Sequence, residues 1–101
     1  MKYKLIISPE AEQDIKEAFY WYEENRKGLG HDFLLQVNGG LKFIERSPKV
    51  FKEEYKGTRK HVIKRFPYKI IYIVQDNLIN ILAVIHGSRN PKYTSSRINS
   101  F

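Results

Sequence analysis

Three runs in the second half of the chain constrain the fold most: RKHVIKRF, YKIIYIVQ and LINILAVIH, broken only at Phe66-Pro67 and Asp76-Asn77. They are rich in β-branched and aromatic residues and are bounded by turn-forming ones, which is the pattern of strands. Connections this short cannot cross over to a parallel neighbour. Three strands in an antiparallel meander follow, with Asp76-Asn77 as a two-residue hairpin turn. A further short strand is expected at Phe51 to Tyr55.

The turns set a register. With Gln75 opposite Leu78, Ile71 is expected to face Leu82 and Lys69 to face Val84; the Phe66-Pro67 turn sets Lys64 opposite Lys69 and Ile63 opposite Ile70. Side chains alternate across a sheet, so two faces result. One gathers Ile63, Ile70, Tyr72, Val74, Ile79, Ile81, Ala83 and Ile85. The other gathers Lys60, Lys64, Lys69 and His86, with Val62, Ile71, Ile73, Leu82 and Val84 between them. The second face would carry an uncovered apolar patch, the mark of a partner surface. The directly opposed Lys64 and Lys69 would repel each other unless an anion sat between them.

Before residue 47 the period is helical. Tyr3 to Ile7 reads as a first strand. Ser8 and Pro9 then suit the cap and first position of a helix, and Glu10, Glu12 and Asp14 suit its positive end. Ala11, Ile15, Ala18, Phe19 and Tyr22 make its apolar stripe. A second helix is expected from about His31 to Arg46, with Pro48 ending it. The short link between them implies an antiparallel hairpin. Trp21, flanking the first stripe, is expected to pack within that hairpin. The fold class is therefore α+β, in the order β-α-α-β-β-β, with the hairpin on one face of a twisted antiparallel sheet. Residues 1–92 form a single domain and 93–101 a polar tail that Ile98 and Phe101 could anchor.

Charge is segregated along the chain. Residues 1–50 carry eight Lys/Arg and eight Asp/Glu, whereas residues 51–101 carry ten and three, so the net +7 arises in the second half. That asymmetry points to an anionic partner, either nucleic acid or an acidic protein. No cysteine is present, which excludes disulfides and thiolate metal sites. His31, His61 and His86 lack ligand spacing, so no metal or other cofactor is expected. The one continuous apolar stretch of the N-terminus, Leu5 to Ile7, is too short for a signal-peptide core, and no run is long enough to span a membrane. A cytoplasmic protein without a membrane partner or small-molecule substrate is expected.

The element order, the opening SPEAEQDI and the closing RKHVIKRFPYKIIYIVQDNLINILAVIHGSRNP together resemble the RelE/ParE superfamily of toxins from bacterial type II toxin–antitoxin, or plasmid stabilisation, modules. The resemblance runs from Tyr3 to about Pro91. It implies an antitoxin that wraps the toxin and covers its apolar grooves, which agrees with the patch that the register exposes at Val62, Ile71, Ile73, Leu82 and Val84. It also implies one of two targets. ParE-like members poison DNA gyrase; RelE-like members cut messenger RNA on the ribosome.

For RNA cleavage through the 2′-hydroxyl, cations must hold the phosphate and a side chain must move the proton. The resemblance carries the RelE-like roles onto Lys60, Lys69 and Arg89; His86, as an imidazole, is the candidate acid or base, and no metal is required. Lys64 and Lys92 extend that set as binders of an anionic target. Lys69 stands where those nucleases have an arginine, Tyr93 is offset from their tail tyrosine, and the YoeB-like glutamate and terminal His-Tyr pair have no counterpart. The HGSR segment looks closer to the ParE-like branch, where His86 would cap the strand. A ParE-like gyrase poison is the favoured reading; a ribosome-dependent mRNA endonuclease is the alternative, and a non-toxic basic nucleic-acid-binding module a third.

Overall fold

The structure, a computed structural model, describes residues 2–100. Strand β1 (Lys4–Ile7) leads into helices α1 (Pro9–Asn25) and α2 (Leu29–Arg46), then strands β2 (Arg59–Val62), β3 (Tyr68–Gln75) and β4 (Leu78–His86), and helix α3 (Pro91–Asn99). Ser8 caps α1 by accepting from the Ala11 amide at 3.1 Å, and Pro9 sits at its first turn, as the sequence predicts. Helix α2 starts two residues earlier than expected. The Glu23 carboxylate of α1 accepts from the amides of Gly28 and Gly30, both at 2.9 Å, and so caps the second helix from the first.

The sheet order is β1-β4-β3-β2. The expected meander of β2, β3 and β4 is antiparallel, and Asp76 takes the positive φ of 55° that its turn requires. Strand β1 adds in parallel beside β4, pairing Lys4 with Leu78 through Ile7 with Ile81, so the sheet is mixed. The 51–54 segment forms no strand; Arg59 donates to the Phe51 carbonyl and holds that segment against β2.

Two register corrections matter for the site. Between β3 and β4, Tyr72 pairs with Ile81 but Ile71 pairs with Ala83, which leaves Leu82 as a β-bulge. Ile71 therefore does not face Leu82, and Lys69 faces Ile85 rather than Val84. The bulge arises where β1 ends. Beyond Ile7 the exposed edge of β4 needs other partners, and α1 supplies them. The Ser8 hydroxyl donates to the Leu82 carbonyl at 3.4 Å, and the Asp14 carboxylate accepts from the Val84 amide at 3.0 Å. Past the bulge every side chain changes face. Val84 joins the core under the helices, while Ala83 and Ile85 move to the second face.

The other correction lies at the β2–β3 turn. Val62, not Lys64, faces Lys69, because the strand ends at Val62 and the connection is two residues longer, on the β2 side, than assumed. Arg65 takes a φ of 70° inside it.

The main core lies between the helical hairpin and the sheet, around Phe33, Ile44, Ile70, Tyr72, Ile79 and Ile81. The Tyr72 hydroxyl donates to the Pro48 carbonyl at 2.8 Å, so this buried ring satisfies its polar end. A second, smaller cluster lies on the opposite face, where Ile98 of α3 covers Ile71, Ala83 and Ile85. The tail anchoring foreseen at Ile98 is thus part of α3, while Phe101 lies outside the described residues. Arg97 fixes that helix through a 2.8 Å pair with Asp14.

Candidate functional site

Helix α3 does not seal the second face of the sheet. A cleft of about 330 Å³ remains between it and strands β2 and β3. Lys60 and Lys69 line it from the sheet and Arg89 from the turn after β4. Ile71 and Ile98 form its apolar floor, and Thr94 and Ser95 its α3 wall. Three of the cations foreseen for an anionic target therefore come together. Lys64 does not join them. It lies past the end of β2 and lines a separate cavity beside α2, so no repelling Lys64–Lys69 pair exists. Lys92 is exposed at the start of α3 and does not line the cleft.

The expected apolar patch is not an open surface. Ile71 and Val84 are 3% and 1% exposed, and Leu82 is also buried. The bulge turned Val84 inward, and α3 covers Ile71. Ile73 is half-buried, and Val62, 62% exposed, is the one member left open.

His86 stands apart from Lys60 and Lys69 and does not line their cleft. Its ring packs edge-on against Tyr68 on the helix side of the sheet, at a centroid distance of 5.3 Å. The bulge places it there, since an unbulged strand would have turned it to the other face. Its Nδ1 accepts from the Ser88 amide at 3.0 Å and lies 2.7 Å from the Ser88 hydroxyl. An amide that donates to Nδ1 leaves the imidazole proton on Nε2. With Gly87 donating to the Pro67 carbonyl at 2.7 Å, the HGSR segment closes the strand as a turn.

Arg89 separates two clefts. Its guanidinium stacks over Tyr93 at 4.5 Å, and both residues also line a second cleft of about 360 Å³ with Trp21, Tyr22, Tyr68 and His86. Trp21 is not packed inside the hairpin; it is 60% exposed on the rim of this cleft. It sits one position from the buried Tyr22 of the apolar stripe, which turns its ring outward.

Glu54 was not singled out in the sequence. It lines the cationic cleft, 3.5 Å from Lys60. The irregular 51–57 segment delivers it, and no periodicity marks such a segment. His61 is a packing residue on the helix side, against Phe43 and Phe51. Burial, aided by Lys64, lowers its pKa below the ordinary value. Asp14 moves the other way: burial raises its pKa, and the Val84 amide and Arg97 only partly offset that.

Residues 5–91 match the family described as ParE toxin of the type II toxin–antitoxin system, parDE. Toxin ParE2 of Mycobacterium tuberculosis is 30% identical over 100 residues, covering 98% of this chain and 95% of that protein. Among solved structures, the chromosomal ParDE toxin–antitoxin system from P. aeruginosa superposes with a TM-score of 0.75 at 16% identity, covering 84% of this chain and 96% of that one. The RelBE2 toxin–antitoxin complex from Mycobacterium tuberculosis gives 0.60 at 20% identity, over 85% and 99%. These two likenesses concern the fold. The family match and the relative together place this chain in the ParE toxin family of type II toxin–antitoxin systems, within the RelE/ParE superfamily.

Proposed function

We propose that this toxin acts in the cytoplasm as a ParE-like poison of DNA gyrase and is neutralised by a small cognate antitoxin. The cationic cleft of Lys60, Lys69 and Arg89 is the surface that meets the anionic target. The position of His86 carries the choice against RNA cleavage. Its Nδ1 is engaged by Ser88, and its ring lies on the other side of the sheet from Lys60 and Lys69. A cluster of cations without that imidazole can bind and orient an anion, but it lacks the sequence's first candidate for proton transfer.

One observation favours the second reading, a ribosome-dependent mRNA endonuclease. Glu54 beside Lys60 sets a carboxylate in the cationic cleft, where it would accept the 2′-hydroxyl proton. Induction in a host lacking the antitoxin separates the two. Gyrase-linked DNA breaks with intact messenger RNA are expected. Codon-spaced mRNA cuts that disappear in Glu54→Gln would establish the nuclease instead.

A further inference from the structure

The opposite side of the molecule carries a feature that the fold does not require. Helix α2 contains two adjacent glycines near its middle, among the costliest residues for a helix interior. Gly40 has a structural reason. A Cβ there would lie 2.9 Å from Ile70 Cδ1 and 3.0 Å from His61 Cδ2, so the helix meets the sheet at this point. Gly39 has none. It is exposed, and a Cβ on it would meet nothing within 4 Å. An alanine would fit and would favour the helix.

Gly39 lies at a cavity of about 280 Å³, which Gly40, Phe43 and Arg46 of α2 line with His61 and Lys64. Strand β2 is the edge of the sheet, so the cavity lies beside an unpaired strand edge. Neither Arg46 nor Lys64 is in an ion pair among the described residues. One turn before Gly39, Leu35 is 67% exposed on the same face of the helix.

We propose that this cavity receives a carboxylate side chain carried on a helical segment of the antitoxin, with Gly39 as the point where the two backbones approach most closely. The inference rests on the antitoxin reading above. Charge complementarity sets the sign of the arriving group, because two unpaired cations and no carboxylate line the cavity. Gly39 and Leu35 set its kind. A missing side chain lets another backbone come near, and an exposed leucine one turn away offers an apolar contact. Both suit a packed protein helix better than a phosphate chain, for which Lys60, Lys69 and Arg89 provide the cleft.

The test uses the full chain and the protein encoded by the reading frame adjacent to its gene, with affinity measured by calorimetry and free-chain stability by thermal melting. Gly39→Ala is expected to raise the melting temperature of the free chain by roughly 4–8 °C and to weaken the complex at least tenfold. Arg46→Glu and Lys64→Glu are each expected to weaken it at least tenfold with little change in melting. A Gly39→Ala chain that is more stable and binds as tightly as the parent overturns the proposal. So does a result in which the two charge reversals abolish binding of a 20-nucleotide single-stranded RNA while the protein complex stays intact. Absence of any complex with the parent chain would overturn the antitoxin reading itself, a different outcome from an intact complex that ignores these variants.

Discussion

His61 shows how a single buried side chain sets a pH dependence. Its ring stacks on Phe43 at an interplanar angle of 12°, and burial lowers its pKa below the model-peptide value. The unfolded chain therefore binds the proton more readily than the folded one. The stability that the neutral ring contributes is complete above about pH 6.5 and falls as the pH drops through the lower folded value. Urea midpoints at pH 7.5 and 5 should show a loss on acidification that is smaller in His61→Phe. An equal loss in both proteins would place the acid sensitivity elsewhere. Gly30 makes a contrasting case to Gly39. A Cβ there would lie 2.6 Å from the Phe19 carbonyl oxygen, a backbone atom that cannot move aside without shifting α1. Gly30→Ala should cost about 2 kcal/mol or more in chemical denaturation. A neutral result would mean that the hairpin can slide.

Among the elements, α3 is the least self-sufficient. Its nine residues include Thr94, Ser95, Ser96 and Asn99, which are indifferent helix formers, so its attachment has to hold it. Three contacts do so: Ile98 in the second apolar cluster, the 2.8 Å pair between Arg97 and Asp14, and the Tyr55 hydroxyl, which donates to Asn99 Oδ1 at 2.9 Å. Arg97→Met keeps the aliphatic stem and removes the pair. Hydrogen exchange should then show lost protection over 91–99 with β3 and β4 unchanged. Slow exchange in α3 despite the substitution would show that Ile98 and the Tyr55–Asn99 bond suffice without the ion pair. Asp14 belongs to the same account, because its carboxylate serves both the Val84 amide at the bulge and Arg97. One helix residue thus ties the strand that positions His86 to the helix that walls the cationic cleft.

At the scale of the whole molecule, part of the positive charge of the second half meets at one cleft through three separate elements. Lys60 comes from an edge strand, Lys69 from a central one, and Arg89 from the turn that follows β4. Lys69→Ala and Arg89→Ala should each reduce growth arrest on induction by tenfold or more, with melting temperatures within a few degrees of the parent. Both side chains reach solvent and neither is in an ion pair among the described residues. Full toxicity in the double variant would remove the cleft from the functional surface. The main core is far less tolerant. Phe33 is fully buried against Tyr22, Phe66 and Tyr68, and Phe33→Ala should cost about 3–5 kcal/mol.

Local chemistry determined most of the elements. Ser8-Pro9 started α1, the 3.6 spacing filled its buried stripe, Pro48 followed the end of α2, and Asp76-Asn77 turned the hairpin, because caps, periods and turns act over a few residues. Tertiary structure decided which side of the sheet the end of β4 presents. The bulge at Leu82 depends on β1 stopping at Ile7 and on Ser8 and Asp14 taking over the freed backbone groups, contacts between residues 74 and 70 positions apart. No pattern within the LINILAVIH run carries that information. One unpaired residue moved Val84 and His86 beneath the helices and left Lys69 and Arg89 facing a cleft that only the docking of α3 creates.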